Sequence, residues 1–273
     1  MAQINFGSWP VVEDEEWLGR AELAFLSYLS GAHCSGQIIG DMPRGVIGGE
    51  LIAFARLPYV DSLEKKHFSD YGLRHLADLE AIFGREPLVT IIDPGEKDPI
   101  LSDWNNQPWL VIFEAAIAGL APVRDSSCNP IPSYLLPLNG DQQEKLYLWA
   151  CDAERHSDIW FASHSLERET YIALADPHSA LNTLAFELAR MIETATGKPV
   201  YVFVFRHYAL PNEEEPTRPC PLCGGQWKVE GEPFFFRCEP CRIVSDHGPS
   251  EGEDGLELIG TWRAENGSAL LPQ

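Results

Sequence analysis

Basic residues are scarce in this chain: its 273 residues carry 20 Lys and Arg against 41 Asp and Glu, a formal net charge of −21 at pH 7. Clustered Lys and Arg supply most sequence-independent affinity for nucleic acid, so this balance weighs against a surface built for phosphate backbones. Long apolar runs are absent too. None approaches the roughly 18 residues of a membrane span, which excludes a hydrophobic helix crossing a bilayer. The start, Met1-Ala2-Gln3-Ile4-Asn5-Phe6, lacks the basic and then apolar order of a secretory signal. Gly45 to Gly49 is followed by neither the Lys-Ser/Thr of a phosphate loop nor a dinucleotide fingerprint, and no internal repeat runs through the sequence.

What is present is a set of seven cysteines, four of them in two pairs: Cys220-Pro221-Leu222-Cys223 and Cys238-Glu239-Pro240-Cys241. Two Cys-x-x-Cys turns at this separation can surround one metal ion tetrahedrally while the intervening residues form a hairpin, the pattern of a zinc ribbon. Iron would accept the same four thiolates. Four protein ligands leave no open position for water or substrate, so the expected ion is one structural Zn²⁺ with no catalytic role. Gly224-Gly225 suits the sharp turn of the first knuckle. In the second, Pro240 has no N–H to offer sulfur and Arg242 stands where Gly is usual, so this knuckle is expected to be the weaker. Trp227-Lys228-Val229 and Phe234-Phe235-Phe236-Arg237 read as strands around a Glu230-to-Pro233 turn. The three other cysteines, Cys34, Cys128 and Cys151, fit a reducing cytoplasm better than a disulfide framework.

Upstream, the pattern predicts an α+β chain: a mixed α/β body over 1–206, an acidic Pro-containing linker and hinge over 207–219, a small four-cysteine zinc ribbon over 220–245, and an acidic tail over 246–273 with a short strand near Leu256 to Trp262. Helices are expected from Val11 to Ser30, from Leu63 to Phe83, from a capping box at Asp141 and Glu144, and from an Asp176 cap with Pro177 first to Gly197. Strands are expected at Gln37–Ile39, Val46–Ile47, Glu50–Arg56, Leu88–Ile92, Trp109–Phe113 and Val200–Phe205, with loop and edge pieces from Pro122 to Pro137. Candidate catalytic groups are dispersed: His156, His164 and His178, with Cys34 or Cys128 as nucleophile, and Asp93 to Asp98, which reads as a solvated turn.

The run Gly197-Lys198-Pro199, Tyr201-Val202-Phe203-Val204-Phe205-Arg206, then Cys-Pro-x-Cys-Gly-Gly-x-Trp and Phe-x-x-Cys-x-x-Cys-Arg-x-Val-Ser resembles an uncharacterised bacterial family, most specifically over residues 198–246. Its members are described as zinc-ribbon-containing and as candidate nucleic-acid binders. The resemblance implies a Cys220/Cys223/Cys238/Cys241 site on an α/β body in a bacterial cytoplasm.

From these readings follow three functional expectations. The first is a non-enzymatic zinc-ribbon protein that binds a basic protein through its acidic surface, in an inhibitor, immunity-like or adaptor role, without a membrane. The second is nucleic-acid binding by the ribbon face through Trp227, Lys228, Arg237 and Arg242. The third is an enzyme whose site lies in the α/β body.

Overall fold

The computed structural model describes residues 2–8, 15–47, 50–92, 103–113, 121–211, 213–231, 233–252 and 254–262. In chain order the elements are β1 (Ala2–Ser8), α1 (Glu15–Cys34), β2 (Arg44–Ile47), β3 (Glu50–Ala55), α2 (Asp70–Phe83), β4 (Leu88–Ile91), β5 (Leu110–Ile112), β6 (Val123–Asp125), β7 (Pro130–Ile131), α3 (Gly140–Ala162), α4 (Glu167–Ala175), α5 (Ala180–Thr196), β8 (Val200–Phe203), β9 (Tyr208–Ala209), β10 (Phe236–Cys238), β11 (Ile243–Ser245) and β12 (Ser250–Glu251). The class is α+β. The chain forms two compact units: one takes Met1–Leu101, Gly119–Ala121 and Pro130–Tyr147, the other Ser102–Ala118, Pro122–Asn129 and Leu148–Gln273.

The first unit is a βαββαβ arrangement with strand order β2-β3-β1-β4 and every neighbouring pair antiparallel. Ile4 pairs with Ala53 on one side and Val89 on the other, which sets the face that meets the helices. Phe25, Tyr28 and Leu29 of α1 and Leu76 and Leu79 of α2 join Ile4, Leu51 and Ala53 in one core. The α1 helix continues past Gly31 to Cys34, because that glycine packs against the Tyr71 ring and needs no left-handed backbone. The α2 helix starts later than the apolar pattern suggests. Ser69 Oγ accepts Gly72 N–H at 3.3 Å, and Lys65–His67 before it form a 3-10 turn. Of the expected strand Gln37–Ile39, only Ile39 is paired, in an isolated bridge to Arg56.

In the second unit β5, β8 and β11 run parallel, β10 lies antiparallel on β11 and β6 antiparallel on β5. Both β5 and β8 are buried along their whole length, as parallel strands covered on both faces must be. The α5 helix buries Ala185, Leu188, Ala189 and Ile192. Its cap is Ser179, whose Oγ accepts Asn182 N–H at 3.1 Å; Asp176 instead ends the preceding α4. The α3 helix opens within the first unit's Pro130–Tyr147 segment, where its box is Asn139 with Gln142, each side chain accepting the other's backbone N–H. Near the tail, Ser250–Glu251 pairs in parallel with Tyr208–Ala209, while Leu256–Leu258 coils into a 3-10 turn in place of the expected strand. Gly255, at φ 81, turns the chain into that coil. The Asp93-to-Asp98 segment and Gly48-Gly49 lie outside the described residues.

Candidate metal centre

The hairpin between the two cysteine pairs forms as the residues dictate. Arg237 N–H donates to Trp227 O at 2.7 Å and Val229 N–H to Phe235 O at 3.1 Å. The turn that joins these arms brings Cys238 and Cys241 back to Cys220 and Cys223. In the first knuckle Gly224 N–H donates to Cys220 O and Cys220 N–H to Gly225 O, both at 2.8 Å. Gly224 takes φ 71, which glycine adopts freely; Arg242, at the matching place in the second knuckle, takes φ 54, which costs a side-chain-bearing residue roughly 1 kcal/mol.

All four sulfurs lie within 4.8 Å of one another, with Cys223 Sγ and Cys238 Sγ at 3.7 Å. A tetrahedral site with metal–sulfur bonds of about 2.3 Å sets its sulfurs about 3.8 Å apart, so the arrangement fits a metal ion. Burial raises Cys220 to about 12 and pushes Cys241 up, with the neighbouring sulfurs adding to both shifts. The Gly225 N–H lowers Cys223 instead. A cation among the sulfurs is what allows them to ionise together.

The centre is anchored by aromatic and buried charged residues. Cys220 and Cys238 share an apolar cluster with Val204, Trp227, Phe236 and Ile243, and the first backbone N–H beyond Tyr201, that of Val202, donates to Arg242 O at 2.9 Å. Through β11 the ribbon is thus built into the sheet. Two further supports hold the centre. Glu215, fully buried, accepts Arg206 Nη2 and Arg218 Nε at 3.0 Å each, along with the Leu210 and Gly248 N–H groups. Burial opposes its ionisation, but Arg206 and Arg218 together outweigh that and hold the carboxyl below the ordinary range. Arg218 in turn lies over the Phe236 ring at 4.1 Å and donates to Ser245 Oγ at 2.8 Å. The second support is Trp262, at the end of the tail stretch Leu256 to Trp262, whose indole covers Gly224.

Of the four proposed contact residues on the ribbon face, Trp227 lies inside the fold. It is 3% exposed, stacked on Phe236, with its indole N–H donated to Arg218 O at 2.9 Å, so no face is left for a base. Lys228 is exposed and lies over Phe235. Arg237 and Arg242 both reach Glu239, at 3.0 and 3.4 Å, and the same carboxylate accepts the Tyr201 hydroxyl. The described histidine candidates and Cys128 have these surroundings. Cys128 lies beside Arg124, His156 Nδ1 is 2.7 Å from Asp152 O on its own helix, His164 is exposed, and the exposed His178 gives its N–H to Asp176. Among the described residues no helix is long and apolar enough to cross a membrane.

Three family models match successive parts of the chain, each described as a domain of unknown function: DUF8589 over residues 4–93, DUF2310 over 105–205 and DUF8594 over 211–250. The last of these holds all four cysteines. Two proteins of Haemophilus influenzae, each described as an uncharacterized protein, are similar to this chain. One is 28% identical over 148 residues, covering 52% of this chain and 73% of the relative; the other is 27% identical over 143 residues, covering 50% and 55%. For the second relative the match therefore spans about half its length. No solved structure matches the chain.

Proposed function

We propose that Cys220, Cys223, Cys238 and Cys241 hold a single Zn²⁺ as a structural staple, and that the protein acts in the cytoplasm by binding a basic protein. The observation that carries this reading is the closed set of four thiols on an acidic chain of net charge −21. Four thiolates favour zinc and saturate it, so no site for water activation is left at the ion. The stabilisation goes into the fold: metal ties two knuckles to each other, and β11 ties them to β8. An acidic surface attracts a basic partner at range and speeds encounter, which suits an inhibitor or adaptor.

The experiment is affinity capture from cell lysate on the zinc-loaded protein, with nuclease, at about 50 and about 300 mM salt. The expected result is one nuclease-resistant basic protein held at low salt and released at high salt. Capture insensitive to salt contradicts electrostatic recognition. Recovered RNA or DNA that is lost on Arg237→Ala supports the ribbon face as a nucleic-acid reader instead.

A further inference from the structure

The four cysteines of the metal centre are not equally sheltered. Cys220 and Cys238 are 0% and 4% exposed, and Cys241 is half-buried, lining a groove with Phe186 and Leu222. Cys223 is the one exposed member of the set. The two residues after it are glycines, so neither brings a side chain over its sulfur; a Cβ on Gly225 would stand 3.4 Å from Cys223 Sγ. The same sulfur lies 3.7 Å from Cys238 Sγ, which belongs to the other knuckle.

We infer that Cys223 is an oxidation site: a peroxide meets this sulfur first, and Cys238 resolves it into a disulfide that releases the metal. The inference rests on the zinc staple proposed above and adds a way to undo it. Zn²⁺ has no redox chemistry of its own, so the electrons come from sulfur. The Cys223 thiolate attacks one oxygen of hydrogen peroxide, the O–O bond breaks, hydroxide leaves, and Cys223 becomes a sulfenic acid. The Cys238 thiolate then attacks that sulfur, the S–O bond breaks, and a second hydroxide leaves as the disulfide forms. Two sulfurs have given two electrons, and one peroxide has become two hydroxides. Disulfide sulfurs stand about 2.05 Å apart, so closing the gap from 3.7 Å takes a shift of about 1.7 Å. Cys220 and Cys241 remain, too few to hold the ion in a four-sulfur site. A thiol reductant reverses the bond by exchange, which makes the change a switch.

The test uses the full zinc-loaded chain, hydrogen peroxide in small molar excess, and a chromogenic zinc chelator that reads release over time. Dimedone added early marks the first sulfenic acid, and peptide mass spectrometry maps the final disulfide. The expected results are dimedone on Cys223, a link between Cys223 and Cys238, release of the zinc, and recovery of the site with dithiothreitol and fresh Zn²⁺. Gly225→Ala, which sets a methyl group against the sulfur while keeping all four ligands, is expected to slow release about threefold. Overturning results are zinc that stays bound through the peroxide, first labelling at Cys241 or at Cys34, Cys128 or Cys151, a disulfide within one knuckle, or equal rates for parent and variant. Each of these leaves the staple itself intact. A chain that purifies without zinc removes the staple and this inference together.

Discussion

The indole of Trp262 covers Gly224, so closely that a Cβ on that glycine would stand 2.6 Å from Trp262 Cε2. A residue far along the chain thus seals the first knuckle, at a position whose φ of 71 already favours glycine. Gly224→Ala meets both penalties and is expected to cost about 2 kcal/mol and to displace the indole. Denaturant melts and the tryptophan emission maximum check it; an unchanged spectrum contradicts the contact.

Glu215 joins Arg206 and Arg218 in a fully buried ion triad. Removing the shared carboxylate leaves two buried guanidinium groups uncompensated, so Glu215→Gln is expected to cost about 3 kcal/mol. The carboxyl is held below its ordinary value of 4.5, so its stabilisation is complete above that value and is lost as pH falls through the lower, folded-state value. Denaturant melts of parent and variant from neutral to acid pH should therefore converge as the pH drops. A constant gap between them contradicts the triad's part in acid stability.

Asp176 presents the opposite case. It is 1% exposed, its Oδ1 accepts the His178 N–H at 2.9 Å, and its Oδ2 has no partner. Burial raises its carboxyl above the ordinary value, outweighing the His178 contributions. A raised carboxyl favours the fold at low pH and costs stability as pH rises through the folded-state value. Asp176→Asn is expected to stabilise the protein by about 1 kcal/mol at neutral pH and to lose that advantage in acid. Thermal melts at two pH values measure it; a destabilised variant at neutral pH contradicts the expectation.

Burial holds the Cys220 and Cys241 thiols protonated until a cation arrives. Loading the metal-free protein with Zn²⁺ should then release protons and bind more weakly as pH falls. Calorimetry in buffers of different ionisation heat reads the release directly, and a binding heat independent of buffer contradicts it.

The metal centre was legible because its chemistry is written in fixed spacing: two Cys-x-x-Cys turns leave few other uses. Helix ends with a local signature also showed, such as Gly197 in the left-handed conformation after α5. Ser179 was hidden behind Asp176, because both are good caps and only the intervening end of α4 decides between them. Glu215 was hidden by its neighbours. In a run of three glutamates between prolines, nothing local distinguishes the one that turns inward to arginines at 206 and 218. The β11 strand is three residues long, too short to show a period, and its partner β8 lies far back in the chain. For Trp227, nothing local in the sequence signals the Arg218 guanidinium that lies over its ring at 4.7 Å.

The most direct measurement is the metal content and X-ray absorption spectrum of the purified protein. One zinc per chain is predicted, with four sulfur neighbours at about 2.3 Å, lost on Cys238→Ser. A substoichiometric metal, or an ion bound through nitrogen or oxygen, would contradict a zinc staple held by the four cysteines.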